Sequence, residues 1–164
     1  MIPSSDAVTF TPAEVSRERT LFLNNRPEVV FPLFEPLNER KWADGWDPDV
    51  LFPSNGVARE GMIFLTKPRF DGEENYRWVL THYDTENFRI SYHVSTADRL
   101  WFIDVACIPM EDGTAATVCY TYIGLTAEAA SRNNAALEMM FQNNLKDWED
   151  AINMYLASNE HELT

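Results

Sequence analysis

Few side chains in this sequence could carry chemistry, and their spacing limits what that chemistry is. Of the three histidines, His82, His93 and His161, the strand pattern puts only His82 on an inward face. Its free pKa of about 6.5 suits proton transfer, so His82 is the candidate general acid or base, with a tyrosine as its partner. His93 falls on the wet face and His161 in the tail, so no metal centre is expected. Cys107 and Cys119 lie on adjacent strands but opposite faces, which argues against a disulfide and offers no Cys–His nucleophile. Asp104 falls among threonines on the outer face, a solvated position. The chain has no glycine-rich phosphate loop, GxSxG elbow, CxxC pair or HExxH motif, nor an evident pair of inward carboxylates. Nothing in the residues calls for a cofactor.

The aromatic residues remain. Trp78, Tyr92, Trp101, Tyr120 and Tyr122 share the inward side of successive strands, and Met140 and Trp148 lie on the apolar stripe of a helix that follows. Each fits plain core packing. Together they also describe the wall of a small-molecule cavity, apolar surface with a few phenol and indole donors. Asn144 sits on the same helical stripe, where a buried amide needs a tyrosine hydroxyl, a water or a ligand as partner. The candidate ligand-binding set is therefore Trp78, His82, Tyr92, Trp101, Tyr120, Tyr122, Met140, Asn144 and Trp148. Asn133, one turn before Leu137, is placed to act like Asn144. The Trp42–Trp46 segment covers one end of the cavity.

The elements that must position these residues follow from periodicity. Residues 126–156 repeat apolar side chains at Ala129, Leu137, Met140, Phe141, Trp148, Ile152 and Tyr155, the spacing of a helix with one apolar face. No proline interrupts it; Thr126 can cap its start and Glu128 suits the positive end of its dipole. Before it, alternation predicts strands at 14–23, 62–67, 76–83, 87–95, 99–109 and 114–123. Pro27 opens a short helix and a second lies at about 37–43. A turn at 84–86 pairs Trp78 with Tyr92, and one at Asp112-Gly113 pairs Val105 with Tyr120. The aromatic face is the surface a one-sided long helix needs.

This order resembles the helix-grip fold of the START-related superfamily, often labelled SRPBCC, and is most similar to its polyketide-cyclase-like branch. The residues carrying the likeness are Arg26-Pro27-Glu28-Val29-Val30-Phe31, then 39–48 around Trp42 and Trp46, 60–64, Trp78-Val79-Leu80-Thr81-His82-Tyr83-Asp84, and 120–126. The resemblance implies an α+β domain over 1–164, loose at about 1–13 and 158–164. In it a curved antiparallel sheet wraps a long C-terminal helix, with two short helices after the first strand. It implies binding of a hydrophobic, lipid- or polyketide-like molecule between sheet and helix. Alternatives are a cyclase, aromatase or dehydratase using the same cavity, and an Aha-type module that binds a chaperone partner.

Composition narrows the partners. The net charge of −13 repels nucleic-acid backbones and anionic membranes. No apolar run reaches the roughly 18–20 residues of a membrane span. Two cysteines and no signal-like N-terminus point to the cytoplasm, and a homodimer is compatible with the sequence.

Overall fold

A computed structural model describes residues 10–162. Of the loose ends expected at 1–13 and 158–164, residues 1–9 and 163–164 lie outside the described residues. Strand β1 spans Ala13–Leu23. Helix α1 (Pro27–Val30) and a 3₁₀ turn (Phe31–Phe34) follow, then a second 3₁₀ turn (Asn38–Lys41). Strands β2 (Asp49–Phe52), β3 (Ile63–Thr66), β4 (Tyr76–Asp84), β5 (Arg89–Ser95), β6 (Arg99–Met110) and β7 (Gly113–Gly124) come next. The sheet is antiparallel in the order β1-β7-β6-β5-β4-β3-β2. With the two helical segments after β1 and the long C-terminal helix, this is the curved-sheet helix-grip arrangement. The edge strand β2 is an addition to the strands expected from alternation.

The C-terminal helix starts as expected. The Thr126 hydroxyl accepts from the Ala129 N–H at 3.1 Å, and Glu128 stands in the first turn. Gly124 allows that start, because a Cβ there would lie 2.7 Å from the Ala130 backbone nitrogen. The helix is not continuous, however. Helix α2 (Ala127–Met139) passes through a π-helical turn (Met140–Asn144) into α3 (Leu145–Ser158). Such turns often mark functional sites, and this one borders the cavity described below. Glu149 accepts the Phe22 N–H at 2.9 Å, while Asn153 accepts from the Asn24 N–H and donates to the Phe22 carbonyl. Helix α3 thus covers part of the β1 edge, whose unpaired groups would otherwise invite another strand.

The two hairpins depart from the expected register in different ways. In β6–β7 the tight turn is Glu111-Asp112, so Val105 faces Val118 and Ile103 faces Tyr120. That is a shift of two residues, one full pleat, and every side chain keeps its face. In β4–β5 the shift also begins as two, with Leu80 opposite Tyr92 and Trp78 opposite Val94. A bulge between Leu80 and His82 then adds one residue, and His82 pairs with Ser91. One residue reverses the faces. His82 therefore points outward, its side chain 50 % exposed, and Tyr83 turns inward. The inward placement of His82 is thus overturned. The Asp84 carboxylate, accepting from the Glu86 and Asn87 amides and the Asn87 side chain, organises a wider loop than the one expected.

No helix among the described residues is long and apolar enough to cross a membrane.

Candidate ligand cavity

The inner face of the sheet and the C-terminal helix do not close on each other completely. Between them, and under the 3₁₀ segment at Asn38–Lys41, lies a cavity of about 790 Å³. Eight of the nine expected ligand-binding residues border it: Trp78, Tyr92, Trp101, Tyr120, Tyr122, Met140, Asn144 and Trp148. His82 does not. It lies outside, 3.6 Å from Glu60.

Alternation and the sheet's order explain the wall. Trp101, Ile103 and Val105 of β6 stand beside Tyr120 and Tyr122 of β7, all buried. Tyr122 stacks on both Trp101 and Tyr120, at centroid separations of 5.5 and 5.9 Å. From β4, Trp78 stacks on Phe64 at 5.2 Å and donates its indole N–H to the Thr66 hydroxyl at 2.8 Å. Tyr92 is fixed by donating to the Phe34 carbonyl at 2.6 Å. Trp148 meets Trp42 edge to face at 5.5 Å. Trp42 and Trp46 are anchored in turn on the Leu33 and Pro36 carbonyls, both at 2.7 Å. Both tryptophans line the cavity.

The polar groups of the lining fall into two kinds. Some are satisfied by the protein. Arg99, 1 % exposed, grips Glu73 through two 2.9 Å bonds and also donates to Tyr76 at 2.9 Å and Asn133 at 3.1 Å. Its guanidinium lies 4.5 Å from the Trp101 ring centre, a further cation–π attraction. The buried amide of Asn133 therefore serves Arg99. Asn144 makes only a weak 3.4 Å contact with the Met140 sulfur, which also receives Arg69 at 3.6 Å. Other groups have no protein partner among the described residues: the Tyr120 and Tyr122 hydroxyls and the Glu39 carboxyl. Burial raises both phenols, Tyr120 well above its ordinary value and Tyr122 to about 12. Both are hydrogen-bond donors at neutral pH.

Glu39 was not foreseen. It keeps some accessible surface because it faces the cavity, yet protein surrounds it, and burial pushes its pKa well above 4.5. The signal was its place three residues before Trp42 and four before Ala43, on the side of the turn that packs inward. Arg99 was also missed, although it shares the strand parity of Trp101. Because Glu39 binds its proton more tightly when folded, it opposes folding as pH rises above its ordinary value near 4.5. Glu39→Gln should therefore match the native protein in stability below that pH and exceed it at pH 7, as urea midpoints would show. Equal midpoints at both would mean the carboxyl is solvated.

On the outer face Asp104 is exposed and accepts from Ser91, and Cys107 and Cys119 are free thiols on opposite faces. His93, expected to be wet, is instead half-buried, stacked on Phe102 at 5.1 Å with its Nε2 enclosed. No cluster of metal-ligating side chains occurs among the described residues.

No protein-family model matches the chain. No curated protein matches it. Solved structures do match in fold. Norcoclaurine synthase from Thalictrum flavum, a point mutant in complex with a transition-state analogue, aligns with a TM-score of 0.67 at 10 % identity, covering 92 % of this chain and 99 % of that one. The protein Ara h 8.0201 aligns at 0.64 and 13 %, covering 90 % and 100 %. An uncharacterized protein from Rhizobium leguminosarum aligns at 0.63 and 16 %, covering 90 % and 97 %. At these identities the likeness is one of fold.

Proposed function

We propose that this protein binds an apolar or aromatic small molecule in the cavity between the sheet and the C-terminal helix. The observation that carries the reading is the cavity itself, about 790 Å³, walled by aromatic rings with the Tyr120 and Tyr122 hydroxyls unpartnered. Hydroxyls that open onto a cavity with mostly aromatic walls can bond whatever fills it, and an oxygen-bearing ligand on an apolar frame fits that arrangement. Native mass spectrometry of the freshly purified protein, with an organic extract analysed in parallel, should reveal one apolar molecule per chain. Where the protein purifies empty, a neutral aromatic probe should quench its tryptophan fluorescence saturably. Ala136→Phe, which projects a ring into the cavity, should abolish that quenching. Uptake that is unsaturable, or indifferent to Ala136→Phe, counts against the reading.

A second reading keeps the cavity and adds turnover of the cyclase or dehydratase kind. What favours it is Glu39, a carboxyl that lines the same cavity as the Tyr120 phenol and whose pKa burial pushes up. A carboxyl raised in this way can serve as a proton donor in a dry site. His82 lies on the outer side of the sheet, and so Glu39 and Tyr120 replace it as proton handlers. The partner-module alternative requires no cavity, and filling the cavity with Ala136→Phe would leave such a role intact.

A further inference from the structure

The donors of the cavity lining are unevenly used. The indoles of Trp42, Trp46 and Trp78 and the Tyr92 hydroxyl each donate to a protein oxygen. Among the described residues, the Arg69 guanidinium, the Asn144 amide and the Tyr120 and Tyr122 hydroxyls do not. Arg69 and Asn144 converge instead on one atom, the Met140 sulfur, at 3.6 and 3.4 Å. A thioether is a weak acceptor, so two good donors meet at a place that offers them no oxygen.

The two tyrosines belong to the same part of the cavity. Tyr120 packs edge-on against Phe141, the residue after Met140 in the π turn, at a centroid separation of 6.4 Å. The positive charge of Arg69 acts on both phenols, opposing the burial that raises them. Arg69 also stands apart from the other arginines. Arg99 of the same lining is closed on Glu73, and Arg40 and Arg132 hold carboxylates as well. Arg69 has no carboxylate partner among the described residues. Its guanidinium is exposed, so water serves it while the cavity is empty. The other charged side chains of the lining do not supply the missing oxygen. Lys67, Asp44 and Asp147 are exposed, and Glu39 bonds none of the four donors.

A neutral oxygen would satisfy the phenols and leave Arg69 to water. A carboxylate does more: it takes a guanidinium through a planar pair of charge-assisted bonds and keeps lone pairs for the hydroxyls and the amide. We infer that the cavity takes an apolar carboxylate of arylalkanoate form, its carboxylate held by Arg69, Asn144 and the Tyr120 and Tyr122 hydroxyls and its ring against the aromatic wall. This rests on the ligand-cavity reading above and names the class of ligand. No bond of the ligand forms or breaks. The burial that raises the pKa of Glu39 also limits the negative charge it sets against such a ligand. The net charge of −13 slows an anion's approach. Exposed charges are screened over about 8 Å at physiological salt, so the groups in contact with the ligand govern what is held.

The test is isothermal titration of the full chain at neutral pH with three probes of one ring and one arm length: naphthylpropionate, naphthylpropionamide and naphthylpropylamine. The propionate should bind at least about fivefold tighter than its isosteric amide, a modest ratio because Arg69 is open to water, and the amine should bind weakest. In Arg69→Gln, a change at an exposed position that leaves the core untouched, the propionate-to-amide ratio should fall to near unity. Lys67→Gln removes a charge of the same sign from the same segment and should keep the ratio. An amide as tight as the propionate, an amine tightest of all, a ratio unchanged in Arg69→Gln, or a ratio lost equally in Lys67→Gln overturns the carboxylate assignment and leaves the cavity reading standing. Saturable binding of none of the three overturns both.

Discussion

Arg99→Leu should destabilise the protein by about 3–5 kcal/mol, the range for breaking a buried ion pair from one side. The loss is large because the substitution leaves the Glu73 carboxylate, whose side chain is 2 % exposed, without its main partner. It also strands the Asn133 carbonyl on the helix, while the Tyr76 hydroxyl keeps its bonds with the Arg69 N–H and Glu73. Urea unfolding at neutral pH would measure it, and a loss below about 1 kcal/mol would mean the cluster is effectively hydrated. Adding Glu73→Gln should recover part of the loss, since the orphaned charge is then gone. The pH dependence has a definite sign. Burial raises the Glu73 pKa, but bonds from Arg99 and Tyr76 and the charges of Arg99 and Arg132 outweigh it and leave the group below 4.5. A carboxyl lowered on folding contributes stability above its ordinary value and loses it as pH falls through the folded one. In Arg99→Leu burial dominates and Glu73 protonates more easily. The gap between variant and native protein should therefore narrow on acidification below about pH 4.

Phe64→Ala should cost about 3–5 kcal/mol, as expected for removing a buried aromatic ring from a packed site. Phe64 is 0 % exposed and stacks on Trp78 at 5.2 Å, with Trp46 and Tyr92 edge-on at 6.1 Å each. Those three rings form one end of the cavity wall, so the void left behind adjoins existing empty space. Affinity for an aromatic probe should fall with stability, and the near-ultraviolet circular dichroism of the tryptophans should weaken. A loss under about 1 kcal/mol with the spectrum unchanged would show that Phe64 does not hold Trp46 and Trp78 in place.

The amino-acid sequence was enough for the order of most elements, the aromatic inner face and the long C-terminal helix. Alternation and helical spacing are local signals, and strand faces survive an even slip. This is why Trp101, Ile103, Tyr120 and Tyr122 reached the cavity although their hairpin closed two residues from the expected place. Three features depended on the folded chain. The bulge between Leu80 and His82 is an odd slip, set by a loop whose Asp84 bonds outweigh the simple turn, and it moved the only candidate histidine outside. The π turn at Met140–Asn144 interrupts a helix whose sequence reads as continuous. The burial of charge was not legible either. Arg99 is buried because Glu73, Tyr76 and Asn133 converge on it from a loop, from β4 on the far side of β5, and from the helix. Glu39 faces the cavity because a 3₁₀ turn packs its tryptophan side inward. Periodicity reports which face a residue occupies, whereas the cost of a buried charge depends on partners distant in sequence, and only the tertiary structure brings those together.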